Sequence, residues 1–266
     1  MRLVFMGTPT FAVPVLAGLT GLDGWEVAGV YTPPDRPAGR GRRAQASPVK
    51  EFALEHGIPV HQPASLRSAE AQSELAALAP DAIIVAAYGK LLPPPVLEVA
   101  PLGCLNIHPS LLPRHRGPSP VATAILEGDL VTGVTLMLLD QGMDTGPLIA
   151  QTEYRLNGNE TADELTETLF GVGGKLLMES LPRWQSGELQ AVPQDDSLAT
   201  VTRKALSLGM NYPVGVGGAV MMRRFKVQVV PTTYVIGPGG KVVYARAGFA
   251  SAVALRKAIA RARKSG

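Results

Sequence analysis

Four short apolar runs, at residues 3–6, 27–31, 82–86 and 104–107, are separated by stretches of helical composition such as residues 48–56 and 65–78. Strands covered on both faces read as unbroken apolar runs, and strands joined through helices run parallel. The pattern predicts an α/β fold built on a doubly wound, mostly parallel sheet. Ser47 and Ser65 stand where a hydroxyl can cap the two helices. Further strands are expected at residues 133–138 and 148–154, with a helix beginning near Thr161. That helix absorbs Gly171-Val172-Gly173-Gly174-Lys175, which fails as a phosphate loop because Leu176 follows the lysine.

The fourth run ends in Asn106-Ile107-His108-Pro109-Ser110-Leu111-Leu112-Pro113. Its prolines stop helix or ladder, which leaves Asn106 and His108 near the carboxyl end of a strand, where open α/β sheets bind their ligands. Asp144 follows 36 residues after His108, in a Gly-containing turn that also holds Asp140. A carboxamide and an imidazolium can both donate to a developing oxyanion. A carboxylate can keep the imidazole charged and accept a proton through water. An Asn-x-His pair by itself closes a strand-to-loop turn equally well, so the neighbouring residues must decide. His61 and His115 are expected in loops or at the surface.

Those neighbours are Ser110-Leu111-Leu112-Pro113, then Arg114 to Gly117, Gly133-Val134-Thr135 and Asp140-x-Gly142-Met143-Asp144-Thr145-Gly146. In this order they resemble the folate-dependent formyltransferase family, and the resemblance runs from Met1 to about Asp195. Phe5-Met6-Gly7-Thr8-Pro9 resembles the family's opening strand and turn. Tyr88-Gly89 with Leu91-Leu92-Pro93 resembles its folate-pocket loop. The resemblance implies a Rossmann-like catalytic domain over residues 1–195, 10-formyltetrahydrofolate as formyl donor and no metal. It implies Asn106, His108 and Asp144 as catalytic residues, selecting Asp144 over Asp140. It further implies folate contacts at Ser110, Leu111, Leu112, Pro113, Tyr88, Leu91 and Asp140.

Arg36, Arg40, Arg42 and Arg43 lie within eight positions, spaced by Gly and Pro. Such a segment suits phosphate through its guanidinium forks and unpaired bases through their planes. In the resembled family a loop this basic goes with members that formylate methionyl initiator tRNA, which implies these four arginines as tRNA-binding residues. Two other classes stay open: a formyltransferase for a sugar or other small amine, and a nonenzymatic tRNA-binding fusion product.

The chain has 266 residues, 46% of them hydrophobic, enough to fill one large or two modest cores. Its single cysteine, Cys104, excludes an internal disulfide framework and, with four scattered histidines, a structural zinc site. No apolar stretch is long enough to span a bilayer and no signal-type segment opens the chain, so a cytoplasmic protein is expected, with a monomer favoured.

The chain changes character near Asp195. Of its 25 Lys and Arg, 12 lie in residues 197–266, where no acidic residue occurs. Family members that act on tRNA carry a C-terminal β-barrel with an Asp-Trp motif, which this sequence lacks. Residues 196–266 instead resemble the C-terminal half of a thioredoxin-like domain. A helix is expected at 199–209, a strand at 212–214, a cis-proline loop around Pro231, a hairpin at 233–236 and 242–244, and a closing helix at 251–264. Without a Cys-x-x-Cys pair this segment cannot do thiol redox chemistry. Its cations can supply nonspecific phosphate affinity.

Overall fold

The computed structural model describes residues 1–38, 43–201, 232–236 and 242–247. In chain order these form β1 (Arg2–Gly7), α1 (Val13–Thr20), β2 (Glu26–Tyr31), β3 (Arg36–Ala38), β4 (Arg43–Gln45), α2 (Pro48–Glu55), β5 (Val60–His61) and α3 (Ala69–Ala77). There follow β6 (Ala82–Ala86), α4 (Pro94–Leu97), β7 (Cys104–His108), α5 (Pro120–Glu127), β8 (Val131–Leu138), β9 (Leu148–Arg155), α6 (Ala162–Gln185), β10 (Thr232–Ile236) and β11 (Val242–Ala247). The chain divides into two compact units, Met1–Pro213 and Val214–Gly266.

The six strands expected before Asp195 all form, and seven strands join in one sheet of order β5-β2-β1-β6-β7-β8-β9. The first five are parallel, and β8 and β9 run antiparallel beside β7. Alternation along each strand sorts the side chains onto two faces. Leu3, Phe5, Ile84, Leu105 and Ile107 face one core cluster with α1, α2, α5 and α6. Val4, Met6, Ile83, Val85 and Cys104 face a second with α3 and α4. Helices on both faces are what a doubly wound sheet requires. Cys104 is buried, its thiol pushed up to about 12 by desolvation.

Two helix starts follow side-chain chemistry, and a third departs from expectation. Ser47 caps α2 by accepting from the Lys50 amide at 3.1 Å. Thr161 and Glu164 form a reciprocal capping box at α6. The helix expected from Ser65 begins instead at Ala69, capped by Ser68, because Ser65 accepts from the Arg67 amide and makes a turn. The glycine-rich stretch is helical, and Gly173 is where α6 meets the sheet. A Cβ there would stand 2.6 Å from Ile107 Cγ2 and 3.0 Å from Val134 Cγ1.

The arginine-rich segment is a short hairpin, with Arg36 opposite Gln45 and Ala38 opposite Arg43. Arg40 and Arg42 lie outside the described residues. At its root, Lys50 Nζ donates to Asp35 Oδ2 and Gln62 Oε1, both at 2.7 Å, and Gln62 Nε2 donates to Asp35 Oδ1 at 2.8 Å. These bonds, that of Lys50 foremost, hold the Asp35 carboxyl below its usual range.

Of the thioredoxin-like expectations, the hairpin is present as the antiparallel pair β10 and β11. The helix expected from Ala199 does not start there. Ala199 is extended, and Val201 bridges Arg116 in parallel. The remaining residues of that helix, the strand at 212–214, the Pro231 loop and the closing helix lie outside the described residues.

Candidate active site

β7 and β8 bring the chemistry together. His108 ends β7 and pairs with Thr135 of β8, and Asn106 two residues earlier is on the same side of the strand. His108 is 4% exposed, and its Nε2 donates to the carbonyl of His115 at 3.1 Å. A carbonyl only accepts, so Nε2 carries the proton. Nδ1 faces Asp144 Oδ2 at 3.7 Å, an approach without a hydrogen bond. Asp144 sits in the left-handed region at φ +54°, and its Oδ2 accepts from the Gly117 amide at 2.8 Å. Among the described residues no protein group bonds the half-buried Asn106 carboxamide, which leaves a donor available.

The surroundings of His108 act on its charge in opposite directions. Burial is the largest influence on His108 and pushes its pKa below the ordinary 6.5, while Asp144 and the His115 carbonyl oppose it. Burial therefore works against an imidazolium here, and the facing carboxylate works for one.

The loop from Pro109 to Gly117 is tied at several points. Thr135 Oγ1 donates to the Ser110 carbonyl at 2.7 Å and accepts from the Leu112 amide at 3.1 Å. Gln151 Nε2 donates to the Leu112 carbonyl and to Thr135 Oγ1, both at 2.8 Å. Ser110 is fully buried, and its hydroxyl donates to the Arg114 carbonyl at 2.7 Å, so it shapes the loop from within. Leu112 is buried ahead of a cis Pro113, and Leu111 lies over Gly133.

The other expected folate contacts are dispersed. The Tyr88 ring is in the second core cluster, its buried hydroxyl unpartnered among the described residues and pushed up to about 12 by desolvation. Leu91 is 74% exposed. Asp140 is exposed, and its Oδ1 closes the turn by accepting from the Gly142 amide at 2.9 Å and Thr145 Oγ1 at 2.8 Å. A cavity of about 580 Å³ opens at the carboxyl ends of β1, β2 and β6, lined by Thr8, Pro9, Asp35, Ser47, Ala87 and Gly89.

His115, expected in a loop or at the surface, is in a loop but only 3% exposed. Its Nε2 donates to Asp129 Oδ2 at 2.7 Å, and Arg114 Nη2 donates to Asp129 Oδ1 at 2.8 Å. Burial tends to raise the Asp129 pKa, but these bonds outweigh it and hold the carboxyl below its usual range. His61 is half-buried and stacks on Tyr31, ring centroids 4.8 Å apart.

A family model described as "Formyl transferase" matches residues 1–181. The chain belongs to the formyl transferase family. Within it, a methionyl-tRNA formyltransferase of Chloroflexus aggregans is 54% identical over 203 residues, 76% of this chain and 65% of that protein. The chain thus spans just under two thirds of the length of that curated relative. Among solved structures, a phosphoribosylglycinamide formyltransferase from Bacillus halodurans is 29% identical with a TM-score of 0.59, over 71% of this chain and 97% of that one. An N-formyltransferase from Helicobacter canadensis, solved with folinic acid and dTDP-3-aminofucose, matches in fold at 20% identity and a TM-score of 0.59, over 77% and 71%. Among the described residues no helix is long and apolar enough to cross a membrane.

Proposed function

We propose that the protein transfers a formyl group from 10-formyltetrahydrofolate to the α-amino group of methionyl initiator tRNA. The observation carrying this reading is the 54% identity with a methionyl-tRNA formyltransferase. The unbonded carboxamide of Asn106 beside a buried imidazole fits a formyl oxygen that gains charge. The folate, when bound, supplies the formyl carbon and the nitrogen that leaves.

The chain's residues act on the proton and the charge. Asn106 donates to the formyl oxygen as the amine attacks. His108 begins neutral, and its Nδ1 takes the proton that the amine loses. Asp144, 3.7 Å away, and the His115 carbonyl stabilise the imidazolium that results. That proton then passes, through water, to the departing nitrogen. Arg36, Arg40, Arg42 and Arg43 contribute phosphate contacts to the tRNA, and residues 196–266 add cationic affinity of low specificity.

A small amine as acceptor is the second reading, favoured by the likeness of the sheet domain to a formyltransferase named for a ribonucleotide substrate. The test is transfer of labelled formyl to methionyl initiator tRNA. His108→Ala should lower turnover by ~10²–10⁴-fold, and an undiminished rate would sink the assignment. Replacing the four arginines by glutamine should raise KM for tRNA. Unchanged KM would point to the small amine.

A further inference from the structure

Gln194 lies beyond the matched residues 1–181, yet it spends its whole amide on the two loops that frame the site. Its Nε2 donates to the carbonyls of Asp144 at 2.9 Å and Gly146 at 2.7 Å. Its Oε1 accepts from Arg116 Nε at 3.0 Å and Nη2 at 2.7 Å. Arg116 is 7% exposed and also reaches Asp196 Oδ1 at 2.7 Å. The chain then continues into Thr200, which accepts from the Arg116 amide through its carbonyl at 2.8 Å and from the His115 amide through Oγ1 at 2.8 Å, and donates its own amide to Pro113 at 3.2 Å.

One strap therefore holds the Asp144 loop by its backbone and, through the neighbouring residues, the carbonyl that receives His108. Asp144 has a left-handed φ of +54°, uncommon outside glycine though tolerated by aspartate better than by most residues, and a constraint on the loop helps to hold it. The Gln194 amide, bonding the carbonyls on both sides of Thr145, is such a constraint.

We propose that Gln194 is a positioning residue that fixes the Asp144 carboxylate opposite His108. The proposal rests on the reading of Asp144 as part of the catalytic set. It differs from mere stabilisation because the two ends of the amide do different work. A glutamate at 194 keeps the acceptor for Arg116, now as an ion pair, and loses the donor to Asp144 and Gly146.

The experiment compares the full chain with Gln194→Glu, Gln194→Ala and Asp144→Asn, reading formyl transfer to methionyl initiator tRNA, thermal midpoint and exchange of the Gly117 amide by NMR. That amide donates to Asp144 Oδ2 and so reports directly on where the carboxylate is. Gln194→Glu should stay folded with a midpoint lowered less than in Gln194→Ala, keep KM for both substrates, lose Gly117 protection, and lower kcat by about tenfold to a hundredfold, as a small misplacement of a reacting group does. Gln194→Ala should show the same kcat loss with a lower midpoint. Wild-type kcat and Gly117 exchange in Gln194→Glu, with Asp144→Asn impaired, would overturn the proposal alone. Full activity in Asp144→Asn would overturn the catalytic reading beneath it.

Discussion

His108 carries the balance of the site in a single ring. Burial lowers its pKa, and the facing carboxylate partly restores it. Removing the carboxylate as Asp144→Asn should therefore lower the pKa further. NMR titration of the imidazole should show the wild-type ring protonating below 6.5, and the Asn variant at lower pH still; titration above 6.5 would mean that Asp144 outweighs burial. The linkage sign follows. The unfolded chain binds this proton more readily than the folded one, so the His108 contribution to stability is present above 6.5 and is lost as pH falls towards the folded pKa. Thr135 is the second residue with consequences. Thr135→Val keeps the shape but leaves the Leu112 amide and Ser110 carbonyl without their partner. Denaturant unfolding should show a loss of about 2–4 kcal/mol; a change within about 0.5 kcal/mol would place it with ordinary surface substitutions. The adjacency of His108 and Asp144 was legible because both stand in a recognisable run of residues. Gln194 and His115 were not, since they act through backbone carbonyls and through a left-handed backbone at His115, φ +60°, that no spacing announces.

At the scale of elements, α6 is seated by the absence of a side chain. Gly173→Ala gains about 1 kcal/mol of intrinsic helix preference, but puts a methyl against Ile107 and Val134, an overpacking that typically costs about 1–3 kcal/mol. The net expectation is a lower melting temperature and, because Ile107 precedes His108, a lower turnover. A rise in stability would show that α6 shifts freely. The strands were legible because burial on two faces leaves continuous apolar runs, as in residues 82–86. The start of α3 was misread because two serines three residues apart can both accept from an amide, and only the turn at Arg67 decides between them. The hairpin at the arginines was read as a plain loop, since three-residue strands rich in Arg, Pro and Ala carry no period of two.

For the whole molecule, the informative boundary is where the strap ends. A chain stopped at Asp195 loses Thr200 and its bonds to Pro113, His115 and Arg116, whereas one stopped at Pro213 keeps the first compact unit entire. Circular dichroism and transfer assays should find the shorter chain less stable and less active than the longer. Equal behaviour would show that the bonds of Thr200 add nothing. Removing residues 214–266 also removes ten of the chain's cations and no acid. The longer truncated chain should accordingly show a shallower dependence of log KM for tRNA on log salt than the intact protein. An unchanged slope would mean that the tail does not meet the phosphates.

Cys104, buried in β7 with its thiol pushed up to about 12, holds almost no thiolate at neutral pH. Alkylating reagents should pass the native protein by and mark it only while β7 is open. Its modification rate is then a clock for opening at this interior strand, started and stopped without any engineered probe. The same silence leaves a blank background, against which one cysteine introduced at an exposed position such as Leu91 or Met143 would be the only thiol to answer.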